Sequence, residues 1–185
     1  MKVHFAALVD GNRSNYFKII DSIKKQEHEL ITEHYLNRTV EEIENESFNE
    51  SKKFHSEFIN WMKKADVIIY EITKNDINAG YELSFAMAMK KPVILLYEKN
   101  KTSTPFVLRG IDNDLLQVIE YNISDIDYII SEALELAKNQ LDIRFNLFIS
   151  SKQNNFLEDQ AQKRKISKSI IIRDLIEKEM RAVLA

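Results

Sequence analysis

Ala65-Asp66-Val67-Ile68-Ile69-Tyr70-Glu71-Ile72-Thr73, followed after a short polar stretch by Asn78-Ala79-Gly80-Tyr81-Glu82-Leu83-Ser84-Phe85-Ala86, decides how this chain is read. The first segment is a nearly continuous apolar run, the pattern of a strand buried on both faces of a parallel sheet. The second reads as the start of a helix. A strand, a loop and a helix in that order bring Glu71, Asp76 and Glu82 to the carboxyl edge of a sheet, where open α/β sheets bind their ligands. Glu82 is expected to open the helix, where the partial positive charge of the N-terminus supports an ionised carboxylate. Such a group suits attack on an anomeric carbon, or stabilisation of its oxocarbenium-like transition state. The plainer alternative is a helix-start glutamate with no chemical role.

Working outward, strand and helix patterns alternate over the first 140 residues. Residues 3–9 read as a strand, and residues 16–26 as a helix with Phe17, Ile20 and Ile23 at helical spacing. Residues 28–32 read as a short second strand and residues 39–64 as one long polar helix. After the strand at 66–72 come a helix at 79–90, a strand at 92–97 begun by Pro92, and a short helix at 105–109 stopped by Gly110. A strand at 115–121 and an amphipathic helix at 124–140, with Ser124 as its cap, complete the unit. The fold class expected is α/β: a parallel five-stranded sheet with helices on both faces, in a domain spanning 1–140.

Residues 141–185 break the rhythm. Residues 144–150 alternate with period two, with Phe145, Leu147 and Ile149 on one face and Arg144, Asn146 and Phe148 on the other. Two helical segments follow, at 152–165 and 167–183, with Ser167 as the cap between them. One strand and two short helices cannot bury a core alone. This strand-helix-helix module is therefore expected to dimerise, or to pack on the first domain.

Composition describes an ordinary globular chain: 185 residues, 44% apolar and 30% charged, with three Gly and two Pro. The absence of cysteine excludes disulfides and thiolate metal sites and fits a reducing compartment. The N-terminal apolar run is too short for a signal peptide, and no run approaches the ~20 residues that span a bilayer. A cytoplasmic protein without membrane contact is expected. The net charge of −3 is uneven: residues 1–140 sum to −6 and residues 141–185 to +3. An acidic body with a basic tail fits two functional units, or ordinary variation.

Residues 1–121 resemble the nucleoside 2-deoxyribosyltransferase superfamily, and most of all its 2'-deoxynucleoside 5'-phosphate N-hydrolase branch. The resemblance is carried by Thr32-Glu33-His34, Phe54-His55 leading to Trp61, the strand 65–73, Gly80-Tyr81-Glu82-Leu83-Ser84-Phe85-Ala86, Lys91-Pro92-Val93-Ile94-Leu95-Leu96 and Leu108-Arg109-Gly110. It implies that Glu82 attacks C1' of the sugar to form a glycosyl-enzyme. Water then gives hydrolysis and a second base gives transfer, without metal or organic cofactor. Asp76 stands six residues before Glu82, as does the base-contacting Asp of the transferase pattern Asp-Ser-Gly-Thr-x-x-Glu, and it reads either as a base contact or as a turn residue. In the hydrolases a phosphate-contacting serine stands at that position, and an anionic Asp repels a phosphate. A further phosphate-contacting serine aligns near Pro105. Hydrolases also carry an acid where this chain has Phe58. Gly11 and Arg13, in the first loop, offer an anion backbone N–H groups and a guanidinium, although the doubled glycine of the hydrolases is missing. His34 is a candidate proton donor or base contact. His55 reads as a packing or surface residue. Gly80 and Tyr81 share the Glu82 motif, and Tyr81 suits a pocket wall or the core equally.

Residues 143–181 resemble a ribbon-helix-helix module, on the strand from Arg144, the helix with Phe156, Leu157 and Ala161, the turn 165–169 and the apolar 170–172. The resemblance implies antiparallel pairing of two chains, with Arg144 and Asn146 facing DNA bases and Ser167 and Lys168 gripping a phosphate. Phe148 on the outward face is foreign to that use. The sequence thus supports an enzyme acting on the N-glycosidic bond of a (deoxy)nucleoside or its 5'-monophosphate, as a homodimer or higher homo-oligomer. The alternatives are a nucleotide-sensing dimeric regulator with a DNA-binding tail, or a tail that serves only as a clip.

Overall fold

The computed structural model describes residues 1–74, 77–101, 108, 110–141 and 147–184. The chain divides into two compact units, Met1–Ile143 and Arg144–Ala185, and each is described by itself.

In the first unit five strands form one parallel sheet: β1 (Lys2–Ala7), β2 (Glu29–Leu30), β3 (Val67–Glu71), β4 (Val93–Glu98) and β5 (Leu116–Tyr121). Their order is β2-β1-β3-β4-β5. In the central strand β3 all five residues are buried, as its apolar run requires. Its register places Glu71 beside Ala7 of β1 and Leu96 of β4. Because side chains alternate, Val67 and Ile69 face one layer, while Ile68 and Tyr70 face the other. The first layer holds α1 (Arg13–Lys25) and α6 (Ile126–Leu141), whose Ile19, Ile23, Ile130 and Leu134 are buried against the sheet. The second holds α4 (Phe48–Lys64) and α5 (Ile77–Ala88), which contribute Phe58, Met62, Leu83 and Ala86. Each such buried aliphatic or aromatic side chain contributes about 1.5–3 kcal/mol.

The helix expected over residues 39–64 is broken. After the short α2 (His34–Asn37) come α3 (Val40–Glu44) and then α4. Each of the latter two begins with a complete capping box, Thr39 with Glu42 and Ser47 with Glu50. Two Ser/Thr-x-x-Glu patterns in one polar stretch mark two helix starts, and apolar periodicity alone passes over them. The α6 cap also differs. The helix begins at Ile126, Asp125 carbonyl accepts from Ile129 N–H at 3.0 Å, and Ser124 Oγ bonds the Asp125 carboxylate at 2.9 Å. The helix expected at 105–109 lies outside the described residues except for Leu108.

The second unit contains α7 (Ser151–Arg164) and α8 (Lys168–Leu184). Ser150 and Gln153 form a capping box, and Lys165 ends α7 in the left-handed conformation at φ 54°. Ser167 Oγ accepts from Ile170 N–H at 3.3 Å, as expected for a cap. Of the strand expected at 144–150, Arg144, Phe145 and Asn146 lie outside the described residues. Leu147 to Ser150 form no strand; Ser150 is committed to starting a helix, and a lone strand has no ladder partner to hold it. No helix among the described residues is long and apolar enough to cross a membrane.

Gly11 is fixed by packing. A Cβ there falls 1.7 Å from Tyr16 Oη and 3.2 Å from the Leu8 carbonyl, and Tyr16 is completely buried. Gly11→Ala is expected to destabilise the protein by about 1–3 kcal/mol in urea unfolding, as overpacking does. Tyr16→Phe in the same chain, which removes the nearest clashing atom, is expected to restore part of that loss.

Candidate active site

A cavity of about 540 Å³ opens at the carboxyl ends of β1 and β3. Leu8, Val9 and Asp10 after β1 supply one wall, and α2 and the residues behind it another, with His34, Tyr35 and Arg38. Helix α4 contributes Phe54, His55 and Phe58, β3 contributes Tyr70 and Glu71, and α5 contributes Tyr81 and Glu82.

Glu82 sits in the second turn of α5, because the helix starts at Ile77 rather than at residue 79. The favourable field of a helix N-terminus is confined to the first turn, so the support for its carboxylate is local. Tyr35 Oη donates to Glu82 Oε2 at 3.4 Å. Burial, reinforced by the Glu82 charge, raises the pKa of Tyr35 well above the ordinary phenol value, and burial followed by Glu82 does the same for Tyr70. Two phenols that keep their protons are donors poised around an anion. The Tyr70 hydroxyl itself is buried, with Glu82 as its acidic neighbour.

Glu71, the next residue of the strand, points to the opposite layer. Its Oε1 accepts from Tyr121 Oη at 3.0 Å, from Thr73 N–H at 3.3 Å and from the Thr73 hydroxyl. Burial raises its pKa, opposed by the Thr73 and Tyr121 bonds. Asn15 Nδ2 extends the network, bonding Tyr121 Oη at 3.3 Å and Glu98 Oε2 at 3.2 Å.

The α4 side is aromatic. His34 stacks on Trp61 at 4.8 Å and meets Phe54 edge-on at 5.3 Å. Burial, then the nearby His4 and Arg38, lower its pKa to about 3. Burial alone lowers that of His4 to about 4. Neither ring forms a hydrogen bond among the described residues. His34 is thus neutral near pH 7, and its imidazolium is not the form available as a proton donor. Phe58 is buried among the rings of His4, His55, Tyr81 and Phe85, so that position carries no acid. Arg38 lies 4.7 Å over the Phe54 ring and pairs with Glu46.

Of the residues singled out in the sequence, Glu82, His34 and Tyr81 share the cavity. Gly11, Arg13 and Gly80 do not line it. Arg13 ties down the chain after α2, with Nη2 donating to Arg38 carbonyl at 2.6 Å and Nη1 to Leu36 carbonyl at 3.5 Å. Gly80 is exposed within α5, and its carbonyl accepts from Ser84 Oγ at 2.9 Å. In the second unit Lys168 Nζ bonds Asn154 Oδ1 at 3.0 Å and Glu158 Oε1 at 3.1 Å. Asp76, Arg144 and Asn146 lie outside the described residues. Sequence reasoning missed Tyr35, Tyr70 and Arg38, and read His55 as packing or surface, whereas it lines the cavity and its Nε2 lies 3.1 Å from Tyr81 Oη. Period-two reading of β3 would have set Tyr70 on the face that α5 covers. Tyr35 has no comparable signal, because α2 is too short to show a period. No cluster of three His, Asp or Glu suited to a metal ion occurs among the described residues.

An open parallel sheet with a carboxylate-bearing cavity beyond its carboxyl edge defines an α/β protein with a small-molecule site at the usual place for such sheets. The chain belongs to the nucleoside 2-deoxyribosyltransferase family, whose model matches residues 5–147. Among its relatives, the 5-hydroxymethyl-dUMP N-hydrolase of Esox lucius is 28% identical over 138 residues, which cover 71% of this chain and 94% of the relative. The enzyme of that name from Danio rerio is 27% identical over 144 residues, 75% of this chain and 100% of the relative. A solved structure of a CMP N-glycosidase from Clostridium botulinum superposes with a TM-score of 0.51 at 14% identity, over 71% of this chain and 99% of that one, a likeness of fold.

The two neutral histidines make stability depend on pH. Their unfolded value is 6.5 and their folded values are about 4 and about 3. Below pH 6.5 the unfolded chain binds protons that the folded chain refuses, so stability falls as pH falls through that window. His4→Phe is expected to flatten the change in urea midpoint between pH 7 and pH 5, by up to about 1.4 kcal/mol per pH unit for one site. An unchanged slope would remove His4 from this account.

Proposed function

We propose that this chain is an enzyme that cleaves the N-glycosidic bond of a (deoxy)nucleoside or nucleoside 5'-monophosphate, with Glu82 as the nucleophile. The observation that carries the proposal is the Glu82 carboxylate on the wall of the cavity, with Tyr35 donating to one oxygen and Tyr70 beside it. A phenol bonded to Oε2 holds the rotamer of the carboxylate that meets C1'. As the C1'–N bond breaks, its electron pair leaves with the base and an Oε–C1' bond forms. Water then attacks C1' and returns the carboxylate, or a second base does so in a transfer. Family membership and relatives named as N-hydrolases support the same chemistry. Arg38 is the basic side chain among the described lining residues, other than His34 and His55, and Glu46 already pairs with it. Nucleosides with and without the 5'-phosphate therefore both belong in the substrate panel, as does Asp76 in the list of groups that meet the base. No cofactor enters this chemistry.

Release of free base from a panel of nucleosides and 5'-monophosphates is the expected result. Glu82→Gln should lower it by a factor on the order of 10⁴–10⁶, as loss of a covalent nucleophile does. No release from any member at high enzyme concentration would defeat the proposal.

We also propose that the second unit joins chains into a homodimer or higher homo-oligomer. Its described buried apolar residues are few, chiefly Leu157 and Ile171, while Leu175, Ile176, Met180 and Val183 of α8 are exposed. Lys168 is engaged by Asn154 and Glu158, and the Ser167 hydroxyl caps α8, which favours a clip over a DNA contact through these two residues. A cytoplasmic location is in keeping with a chain that has no cysteine. Truncation after residue 143 is expected to halve the sedimenting mass or more. An unchanged mass would refute the clip.

A further inference from the structure

We infer that Tyr81 and His55 form the proton-delivering pair of this site: Tyr81 hands a proton to the departing base, and His55 replenishes it. The inference rests on the N-glycosidic reading above. Breaking the C1'–N bond leaves an electron pair on a ring nitrogen of the base. A purine or pyrimidine anion leaves poorly, so a positioned acid lowers the barrier. The family position for that acid is here Phe58, buried among rings. His34 is neutral. Asp10 is paired with Lys74 and Glu46 with Arg38. Glu71 turns Oε1 to three donors on the far side of the sheet.

His55 precedes Phe58 by three residues on α4, so the two share a face of the helix. Its Nε2 lies 3.1 Å from Tyr81 Oη, and both residues line the cavity. Tyr81 adjoins Glu82 in the chain, so nucleophile and acid are carried by one turn of α5. The pair is also exposed, which lets it exchange protons with water between turnovers.

Imidazolium Nε2–H donates to Tyr81 Oη, and the phenol O–H points at the base nitrogen. The C1'–N pair goes to that nitrogen, which takes the phenol proton. The Nε2 proton replaces it on Oη, and Glu82 Oε bonds to C1'. In the second half, water attacks C1', the Glu82–C1' bond breaks, the water proton goes to Oη and the Oη proton returns to Nε2. The sum is nucleoside plus water to free sugar plus neutral base.

The test compares two leaving groups on one sugar. One substrate is the best base-bearing member of the panel. The other carries 4-nitrophenoxide, which departs as a stable anion without a proton. Tyr81→Phe and His55→Gln, checked for unchanged thermal melts, are each expected to cut kcat/KM on the base-bearing substrate by about 10²-fold or more, the usual contribution of a general acid. Both should leave kcat/KM on the nitrophenyl substrate nearly unaffected, since it reports the steps up to departure of the leaving group and not the shared attack of water. Equal losses of kcat/KM on the two substrates, or no loss on either, would overturn the inference. So would a leaving-group-dependent loss in Glu71→Gln in their place. If the wild-type protein releases neither leaving group, the N-glycosidic reading itself falls.

Discussion

The last two residues of β3 point in opposite directions, and the site is arranged around that alternation. β3 is the middle strand of a parallel sheet and is buried on both faces, so neither side chain at its carboxyl end can turn away. Tyr70 is driven into the layer of α4 and α5, where Glu82 and Tyr35 meet it. Glu71 is driven into the layer of α1 and α6, where Tyr121 and Thr73 satisfy one carboxylate oxygen. Two acids thus open on one cavity from opposite faces of the sheet, in different surroundings. A one-residue slip of β3 would exchange the two layers and lose both sets of partners.

Separation of environments is how a single cleft holds groups in different protonation states. On the α5 side, phenols with raised pKa remain hydrogen-bond donors around Glu82. On the α4 side, a stack of His4, His34 and Trp61 stays uncharged because burial makes an imidazolium costly. Of that stack His34 lines the cavity, with Phe54 and Phe58 beside it, and offers a neutral, aromatic surface rather than an acid. It suits a planar heterocycle better than it suits a charge. The capacity to donate a proton therefore moves to the exposed end of the same helix face.

The layered sheet was legible because it is written in long-range burial: the apolar run at 65–73, its relatives at 92–97 and 115–121, and the helical spacing between them. Glu82 was legible as well, since a polar residue at the start of an apolar helix after a buried strand has few other places to be. The side chains that surround it were not. Tyr35 lies on a four-residue helix without a period, and its meeting with Glu82 is a contact across 47 positions. Arg13 read as a loop cation, but its reach to the carbonyls of Leu36 and Arg38 depends on where α2 ends. The first turn of α5 was misjudged by two residues, enough to take Glu82 out of the field of the helix terminus. The break between α3 and α4 was visible in two capping boxes, but a reading by apolar period does not weigh them.

That break has a thermodynamic meaning. The five-residue α3 has no buried residue, yet Val40, Ile43 and Glu44 form part of the cavity wall. Its anchors are its own capping box and the Arg38–Glu46 pair at its flanks. A segment so held opens by local unfolding at a small fraction of the global free energy, and its amides exchange with solvent long before those of β3. One wall of the cavity therefore belongs to the rigid sheet and the other to a separately melting unit. A ligand that orders α3 meets an entropy cost that the sheet side never imposes.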